Sequence, residues 1–242
     1  TYTRAVKTFL LWLNENEFIQ NVGKLKLIKA EIANIVPLSD VEVKILLNNF
    51  DNSYFGIRNK LMVMFMLDSG LRRGEVVSLE SKNIFMHNNT MLVQGKGEKE
   101  RLVPFGEETK RYINRYSHMR NEYEKRFFQK EDGTPITDNT IKMYFQDLKE
   151  STGIIRLHPH LLRHTFATNY ILYGGDVEEL RILLGHTSLQ MTMKYVHLAT
   201  QQRILNQRYH SHIDKLFCQY DNKLVQYSGC LLYTSDAADD LT

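Results

Sequence analysis

One stretch of the chain, residues 83–105, has the two-residue periodicity of β-strands, whereas helical periodicity dominates before and after it. Within this stretch, three short runs at residues 84–86, 90–93 and 101–104 are separated by residues that favour turns. Strands that follow one another this closely pair as an antiparallel meander. The sequence therefore predicts a mainly α fold with a small antiparallel three-stranded β-sheet.

Capping signals mark several of the predicted helices. Ser39 and Glu42 have the spacing of a capping box, which starts a helix that runs to about residue 48. A second helix covers about residues 54–68 and is closed by Gly70. After the strands, the apolar spacing predicts helices at about residues 107–129, 139–150, 159–173, 177–184, 188–196 and 201–217.

The chain is expected to contain one main domain, at residues 36–217, that begins just before Pro37. Residues 2–19 form an amphipathic helix that starts without a methionine, and a polar connector follows, so we expect a truncated N-terminus. Residues 218–229 are expected to form a C-terminal tail. Residues 230–242 match the translation of a sequencing adapter, and we exclude them from fold prediction. Without their three aspartates the net charge changes from +3 to +6.

Composition excludes several classes of protein. The only cysteines, Cys218 and Cys230, are too few for a disulfide framework and lack the spacing of metal ligands, which favours a reducing, cytoplasmic setting. No apolar run reaches the roughly 20 residues that a membrane helix needs. The chain is therefore expected to be soluble, and its mildly basic charge favours nucleic acid only weakly.

Two motifs place basic side chains at the ends of predicted elements. In Gly70-Leu-Arg-Arg-Gly-Glu75, Arg72 starts a helix and Glu75 lies on the same face, an arrangement that alone indicates a surface ion pair. In Gly95-Lys-Gly97, Lys96 lies at the tip of a hairpin without the spacing of a P-loop. Taken alone, it is an ordinary lysine in a glycine turn.

A third motif, His158-Pro-His-Leu-Leu-Arg-His164, begins a helix at its proline and puts His160 and Arg163 on one face, where both could reach an anion. His160 and His164 also have the spacing of a helical zinc pair. Leu161 stands where the HExxH signature requires glutamate, however, and no acidic ligand follows. We therefore expect no metal.

The fourth motif joins two helices. Leu184-Gly-His186 closes one helix, and the next helix brings Tyr195 round on its second turn. By itself, a tyrosine at this spacing is usually a core residue.

Together these motifs give the strings SGLRRGEV, GKGEKERLVP, HPHLLRHTFAT, LLGH and MTMKYVH, in that order. The chain resembles the tyrosine recombinase, or phage integrase, family, and within it the Xer and conjugative-transposon integrases. The resemblance covers about residues 38–200 and implies the DNA breaking-rejoining catalytic fold. Residues 1–35 are weakly similar to the end of the family's helical core-binding domain and its linker.

The resemblance also implies the roles of individual side chains. Arg72 and Arg163 would clamp a phosphate, Lys96 would be the general acid, and Glu75 would support them. The expected catalytic set is Arg72, Lys96, His160, Arg163, His186 and Tyr195, with Tyr195 as the nucleophile. The expected contacts to the DNA backbone are Arg73, Lys99, Arg101 and His164. The predicted helix at 107–129 presents either another backbone-contacting face or a solvated one, through Arg111, Arg115, Arg120, Lys125 and Arg126.

The implied activity is site-specific DNA recombination or integration through a 3′-phosphotyrosyl intermediate, without metal, cofactor or ATP. The implied partner is double-stranded DNA, with a homotetramer on two duplexes and a monomer free in solution, in the cytoplasm at the nucleoid. The apolar stripe through residues 204–216 would dock either on a neighbouring protomer or on its own domain. The alternatives are DNA relaxation of the type IB topoisomerase kind and a catalytically incomplete DNA-binding fragment.

Overall fold

The computed structural model describes residues 2–20, 36–95 and 100–205. They belong to two compact units, Thr1–Val36 and Pro37–Thr242. In the first unit, helix α1 (Tyr2–Glu15) ends earlier than the predicted residue 19. It ends there because Glu17 adopts a left-handed backbone conformation with φ of 62°, which a helix cannot continue through.

The second unit is mainly helical and carries one small sheet, which confirms the predicted fold class. Among the described residues, no helix combines the length and apolarity needed to cross a bilayer. The helices are α2 (Asp40–Asn48), α3 (Tyr54–Asp68), α4 (Arg73–Ser78), α5 (Glu107–Ser117), α6 (Asp138–Thr152), α7 (Pro159–Leu172), α8 (Val177–Leu184) and α9 (Gln190–Leu205). The strands are β1 (Ile84–Phe85), β2 (Thr90–Gln94) and β3 (Glu100–Pro104), in the antiparallel order β1-β2-β3.

The predicted capping box starts α2. The Ser39 side chain accepts a hydrogen bond from the Glu42 backbone N–H, and the Glu42 carboxylate accepts one from the Ser39 backbone N–H at 2.8 Å. Two N–H groups that the helix start leaves without a backbone partner, those of Ser39 and Glu42, are thereby satisfied, so the cap fixes where the helix begins.

The strands alternate as their sequence predicts. Met91 pairs with Val103 across β2 and β3, and both side chains are fully buried, whereas the neighbouring Leu102 is 54% exposed. One face of the sheet therefore belongs to the core. This register also orients Arg101, two residues before Val103, toward the same face.

Helix α3 is the centre of the core and packs against both α5 and α7. Its Phe65 ring meets the ring of Phe128 edge-on at 5.6 Å, and Phe128 also lies 5.6 Å from Tyr116 of α5 and 5.1 Å from Phe127. Aromatic pairs at these separations add attraction beyond the burial of their area. This cluster packs α3 against α5 and against residues 127 and 128.

The predicted helix at residues 107–129 was wrong beyond Ser117. The chain leaves α5 there because Phe127 and Phe128 turn inward to join the aromatic cluster. The Arg120 side chain donates to the backbone oxygens of Arg126 and Phe127, both at 3.1 Å, and so replaces the hydrogen bonds of the missing helix. Arg120 therefore holds this loop together and is not part of a continuous basic helix face.

The predicted break between two C-terminal helices near residue 197 was also wrong. Helix α9 continues through this point to Leu205 without interruption. No glycine or proline occurs there to end it, and Ala199 is fully buried, so helical packing continues. The rest of the predicted helix, residues 206–217, lies outside the described residues.

The aromatic cluster gives a test of the core. Replacing Phe128 with alanine leaves a cavity among three rings, so we expect the free energy of unfolding to fall by about 3–5 kcal/mol. Urea denaturation followed by circular dichroism measures this loss. The matched control is Tyr123→Ala, because Tyr123 is 87% exposed in the adjoining loop, and it should change stability by less than about 0.5 kcal/mol. Equal stability of the two variants would contradict the assignment of this core.

Candidate active site

A single buried carboxylate, that of Glu75, organises the site. Arg72 precedes the first residue of α4, and Glu75 reaches back to it as in a capping box. Glu75 Oε2 accepts from the Arg72 backbone N–H at 2.7 Å, and Oε1 accepts from Arg72 Nη1 at 2.8 Å. The contact between Arg72 and Glu75 that their spacing predicts is therefore present. The Glu75 side chain is 5% exposed.

Arg101 on β3 approaches the same carboxylate from the sheet. Its Nη1 and Nη2 donate to the two oxygens of Glu75, both at 2.8 Å, and its Nε donates to the Leu183 backbone oxygen at 2.7 Å. Burial acts to raise the pKa of Glu75, but the hydrogen bonds and charge of Arg101, together with Arg72, outweigh it and hold that pKa below its ordinary value. Glu75 is therefore ionised at neutral pH.

Arg163 on α7 is the third guanidinium of the cluster. It donates to the backbone oxygens of Gly70 and Leu184, and its Nη1 lies 4.0 Å from Glu75 Oε2. Burial and the nearby charge of Arg72 lower the pKa of Arg163 to about 9, so it remains charged at neutral pH. Gly70 is essential to this arrangement because its φ of 64° suits glycine and a Cβ there would collide with Phe166.

Three guanidiniums thus face one carboxylate, and the cluster carries two excess positive charges. Arg72 is the most exposed of the three, with 35% of its side chain accessible, whereas Arg101 is 8% and Arg163 5% exposed. Arg72 lines an open cavity of about 570 Å³, together with Arg73, Gln94 and His160. The lining also contains the carboxylates of Glu75 and Asp138, so the excess positive charge comes from Arg101 and Arg163, which pair with Glu75 without lining the cavity. That excess charge is suited to bind an anion.

Two histidines are close enough to this cluster to experience its charge. His160, on the first turn of α7, lines the cavity with its surface partly exposed, and partial desolvation of its ring, followed by the charge of Arg163, lowers its pKa. His186 follows the left-handed Gly185 at the end of α8 and is 8% exposed. Burial and Arg163 lower the pKa of His186 to about 4, so its ring is uncharged at neutral pH.

Tyr195 on α9 is buried, with 1% of its surface exposed. Its hydroxyl lies 2.8 Å from His164 Nδ1, and its ring is nearly parallel to that of His186, at 6.3 Å between centroids. Burial raises the pKa of Tyr195 to about 12, although Arg163 and Arg72 act in the opposite direction. Tyr195 is not among the residues that line the cavity, so its hydroxyl occupies a withdrawn position.

The structure brings most of the expected site residues together. Arg72, His160, Arg163, His186, Tyr195 and Glu75 gather around the cluster and its cavity, whereas Lys96 and Lys99 lie outside the described residues. Of the expected DNA contacts, Arg73 donates to Asp138 at 2.7 Å. Arg101 is directed to Glu75 and His164 to Tyr195, so both lie inside the site.

In the part of the chain that the structure describes, no three His, Cys, Asp or Glu side chains come together in a group that could hold a metal ion. His164, half of the candidate zinc pair, is hydrogen-bonded to Tyr195.

One residue that contacts an expected site residue was not predicted from the sequence. Thr192, which is fully buried, lies 2.9 Å from His186 Nδ1. Its only signal in the sequence is its position one helical turn before Tyr195.

Comparison with known proteins gives relatives for most of the second unit. The family model described as the phage integrase family matches residues 37–202. Tyrosine recombinase XerC of Staphylococcus epidermidis is 36% identical over 155 residues, which are 61% of this chain and 51% of that protein. XerC of Staphylococcus haemolyticus is 29% identical over 214 residues, 84% of this chain and 72% of that protein. The chain therefore spans about half the length of several of the relatives it matches.

Solved structures show the same fold. The crystal structure of XerA recombinase has a TM-score of 0.61 and 27% identity, and the match covers 78% of this chain and 66% of that one. The Tn1549 transposon integrase in complex with a circular intermediate DNA has a TM-score of 0.69 at 19% identity, over 90% of this chain and 76% of that one. Because the family model matches more than half of the sequence and these structures share its architecture, the chain belongs to the phage integrase family of tyrosine recombinases.

Proposed function

We propose that this chain is the catalytic part of a site-specific DNA recombinase, which cuts and rejoins strands through a phosphotyrosine at Tyr195. The observation that carries the proposal is the cluster of three arginines on one carboxylate, with a buried tyrosine beside it. A phosphodiester is an anion, and its transition state develops further charge that such a cluster stabilises. Family membership supports the same activity.

Arg72 and Arg163 are the proposed phosphate ligands. Planar guanidiniums can grip two non-bridging oxygens at once, and Arg72 already faces the cavity. Arg101 has a different proposed role, because both ends of its guanidinium are occupied by Glu75. It holds the carboxylate, and the carboxylate in turn orients Arg72.

Tyr195 is the proposed nucleophile. The phenol would give its proton to His160, and its oxygen would attack phosphorus, forming the Tyr195 Oη–P bond as the bond to the 5′-oxygen breaks. Lys96 would give the departing 5′-oxygen a proton. A phenol is a better leaving group than an alkyl alcohol, so a free 5′-hydroxyl can reverse the step and reseal the strand. The bond energy is kept in the phosphotyrosine, and the cycle would need neither ATP nor a metal.

The withdrawn position of Tyr195 makes the reaction depend on a movement. Its hydroxyl is buried and hydrogen-bonded to His164, and Tyr195 does not line the open cavity. Binding of DNA would have to release this bond and carry the hydroxyl toward the guanidiniums. There the positive charge would lower the pKa of the phenol from its resting value of about 12.

The proposed partner is double-stranded DNA, acted on in the cytoplasm at the nucleoid by four copies of the protein on two duplexes. The Tn1549 integrase, which has this fold, was solved in complex with a circular intermediate DNA, and XerH, of the same fold, was solved bound to a palindromic difH substrate. Arg73 and Lys99 remain the proposed contacts to the backbone, since such contacts position a duplex without reading its sequence.

The nucleophile is tested with a DNA duplex that carries a nick beside the cleavage site, so that the short product diffuses away and the covalent adduct accumulates. We expect Tyr195→Phe to form no adduct on a denaturing gel, because the attacking oxygen is gone. The control is Tyr170→Phe, which removes a hydroxyl bonded to Glu179 on the neighbouring helix and should form adduct as the unmodified chain does. An undiminished adduct in Tyr195→Phe would refute the assignment.

The two uncharged histidines beside Tyr195 predict an acid sensitivity. His164 and His186 both have a pKa of about 4 in the folded chain, chiefly because they are buried. Between about pH 6.5 and pH 4 the unfolded chain takes up protons on these rings that the folded chain does not. The free energy of unfolding is therefore highest above pH 6.5 and decreases on acidification below it. Each ring lowers it by up to about 1.4 kcal/mol per pH unit.

Urea denaturation at pH 7.5, 6.5 and 5.5 measures this effect, in a range where ordinary carboxylates stay ionised. We expect the free energy of unfolding to fall most between pH 6.5 and 5.5, and to fall less steeply in His186→Asn. A free energy of unfolding that does not change over this range would show that these rings take up protons without cost in the folded chain.

A further inference from the structure

The Thr192 hydroxyl makes a buried hydrogen bond that the proposed reaction does not yet use. Thr192 lies on α9, three residues before Tyr195, and is fully buried. Its Oγ1 lies 2.9 Å from Nδ1 of His186, a residue on the loop before α9. The helix that carries the nucleophile therefore also holds one of the active-site histidines.

The direction of this bond follows from the burial of the hydroxyl. Two other helical threonines, Thr165 and Thr200, donate to the backbone oxygen four residues earlier, at 2.9 and 2.8 Å. Thr192 makes no such bond in the described part of the chain, and His186 Nδ1 is its partner there. If Nδ1 carried a proton, the hydroxyl proton of Thr192 would be buried without an acceptor, which is unfavourable. Thr192 is therefore the donor and Nδ1 the acceptor.

The remaining ring nitrogen then carries the proton. His186 is uncharged at neutral pH, because it is buried and faces the charges of Arg163 and Arg72. A neutral imidazole has one N–H, and with Nδ1 acting as an acceptor this must be Nε2–H. His186 retains 8% of its surface, and no described residue accepts a hydrogen bond from Nε2. This N–H is available to a ligand.

We propose that Thr192 is a positioning residue, which fixes His186 as the Nε2–H tautomer and so presents a hydrogen-bond donor to an oxygen of the bound DNA phosphate. The phosphate part of this proposal rests on the function proposed above, whereas the tautomer does not. Thr192 and Tyr195 lie on one turn of α9, so a shift of that helix toward the cavity would also change the hydrogen bond between Thr192 and His186.

The tautomer is measured by ¹⁵N NMR on the whole chain with labelled histidine at pH 7.5, where the two ring nitrogens have distinct shifts. The His186 signals are assigned by their loss in His186→Gln. We expect Nε2 protonated and Nδ1 unprotonated in the unmodified chain, and a mixture of tautomers in Thr192→Val, which keeps the side-chain shape without the hydroxyl. Thr192→Ser should restore the single tautomer, and Thr200→Val, on the same helix, should leave it unchanged. A protonated Nδ1 in the unmodified chain overturns the proposal.

The same variants are compared for the rate of adduct formation on nicked DNA. We expect Thr192→Val to be slower by about tenfold, the effect of about one hydrogen bond, and Thr192→Ser to be within about twofold of the unmodified chain. A changed tautomer with an unchanged rate overturns the positioning role. If the unmodified chain forms no adduct at all, the proposed function fails, and the NMR result still decides the tautomer.

Discussion

The ion pairs of Glu75 are the interaction on which the rest of the site depends. A carboxylate that is 5% exposed is tolerated only when it is paired and hydrogen-bonded, and here Arg72, Arg101 and Arg163 provide that compensation from three different elements. The cluster therefore ties the start of α4, the strand β3 and the helix α7 to one point. Removal of the carboxylate would leave the buried guanidiniums without a counter-charge, so the same interaction accounts for local folding and for the electrostatics of the cavity.

The three guanidiniums differ in how many of their N–H groups remain available to a ligand. Arg101 is fully engaged by Glu75 and by the Leu183 backbone oxygen, and Arg163 is held by two backbone oxygens at the ends of neighbouring segments. Arg72 donates from Nη1 to Glu75 and from Nη2, at 3.4 Å, to the Gly185 backbone oxygen, and it is the one of the three that lines the cavity. One carboxylate pairs with three guanidiniums, so the cluster has excess positive charge, which a phosphate can neutralise.

The features that could be predicted from residue patterns are those that depend on local interactions. The capping box of Ser39 placed α2, the alternation around Met91 placed the sheet, and the spacing of Arg72 and Glu75 placed their contact, since each depends on residues close in the chain. The family resemblance indicated which distant positions belong to one site. The length of α5 was mispredicted because Phe127 and Phe128 fit a helical pattern, while the bonds that end the helix come from the side chain of Arg120. The contacts of Arg101 with Glu75 and of His164 with Tyr195 span 26 and 31 residues, and no local pattern reports them.

The central claim is that one phosphate is held by this arginine cluster while the oxygen of Tyr195 bonds to it. The most direct measurement is a crystal structure of the chain trapped on nicked duplex DNA after cleavage. We expect continuous electron density from Tyr195 Oη to a phosphorus atom, with Arg72 and Arg163 donating to the oxygens of that phosphate and Arg101 still bonded to Glu75. Density joining the DNA to another side chain, or a phosphotyrosine with both arginines turned away from it, would contradict the claim.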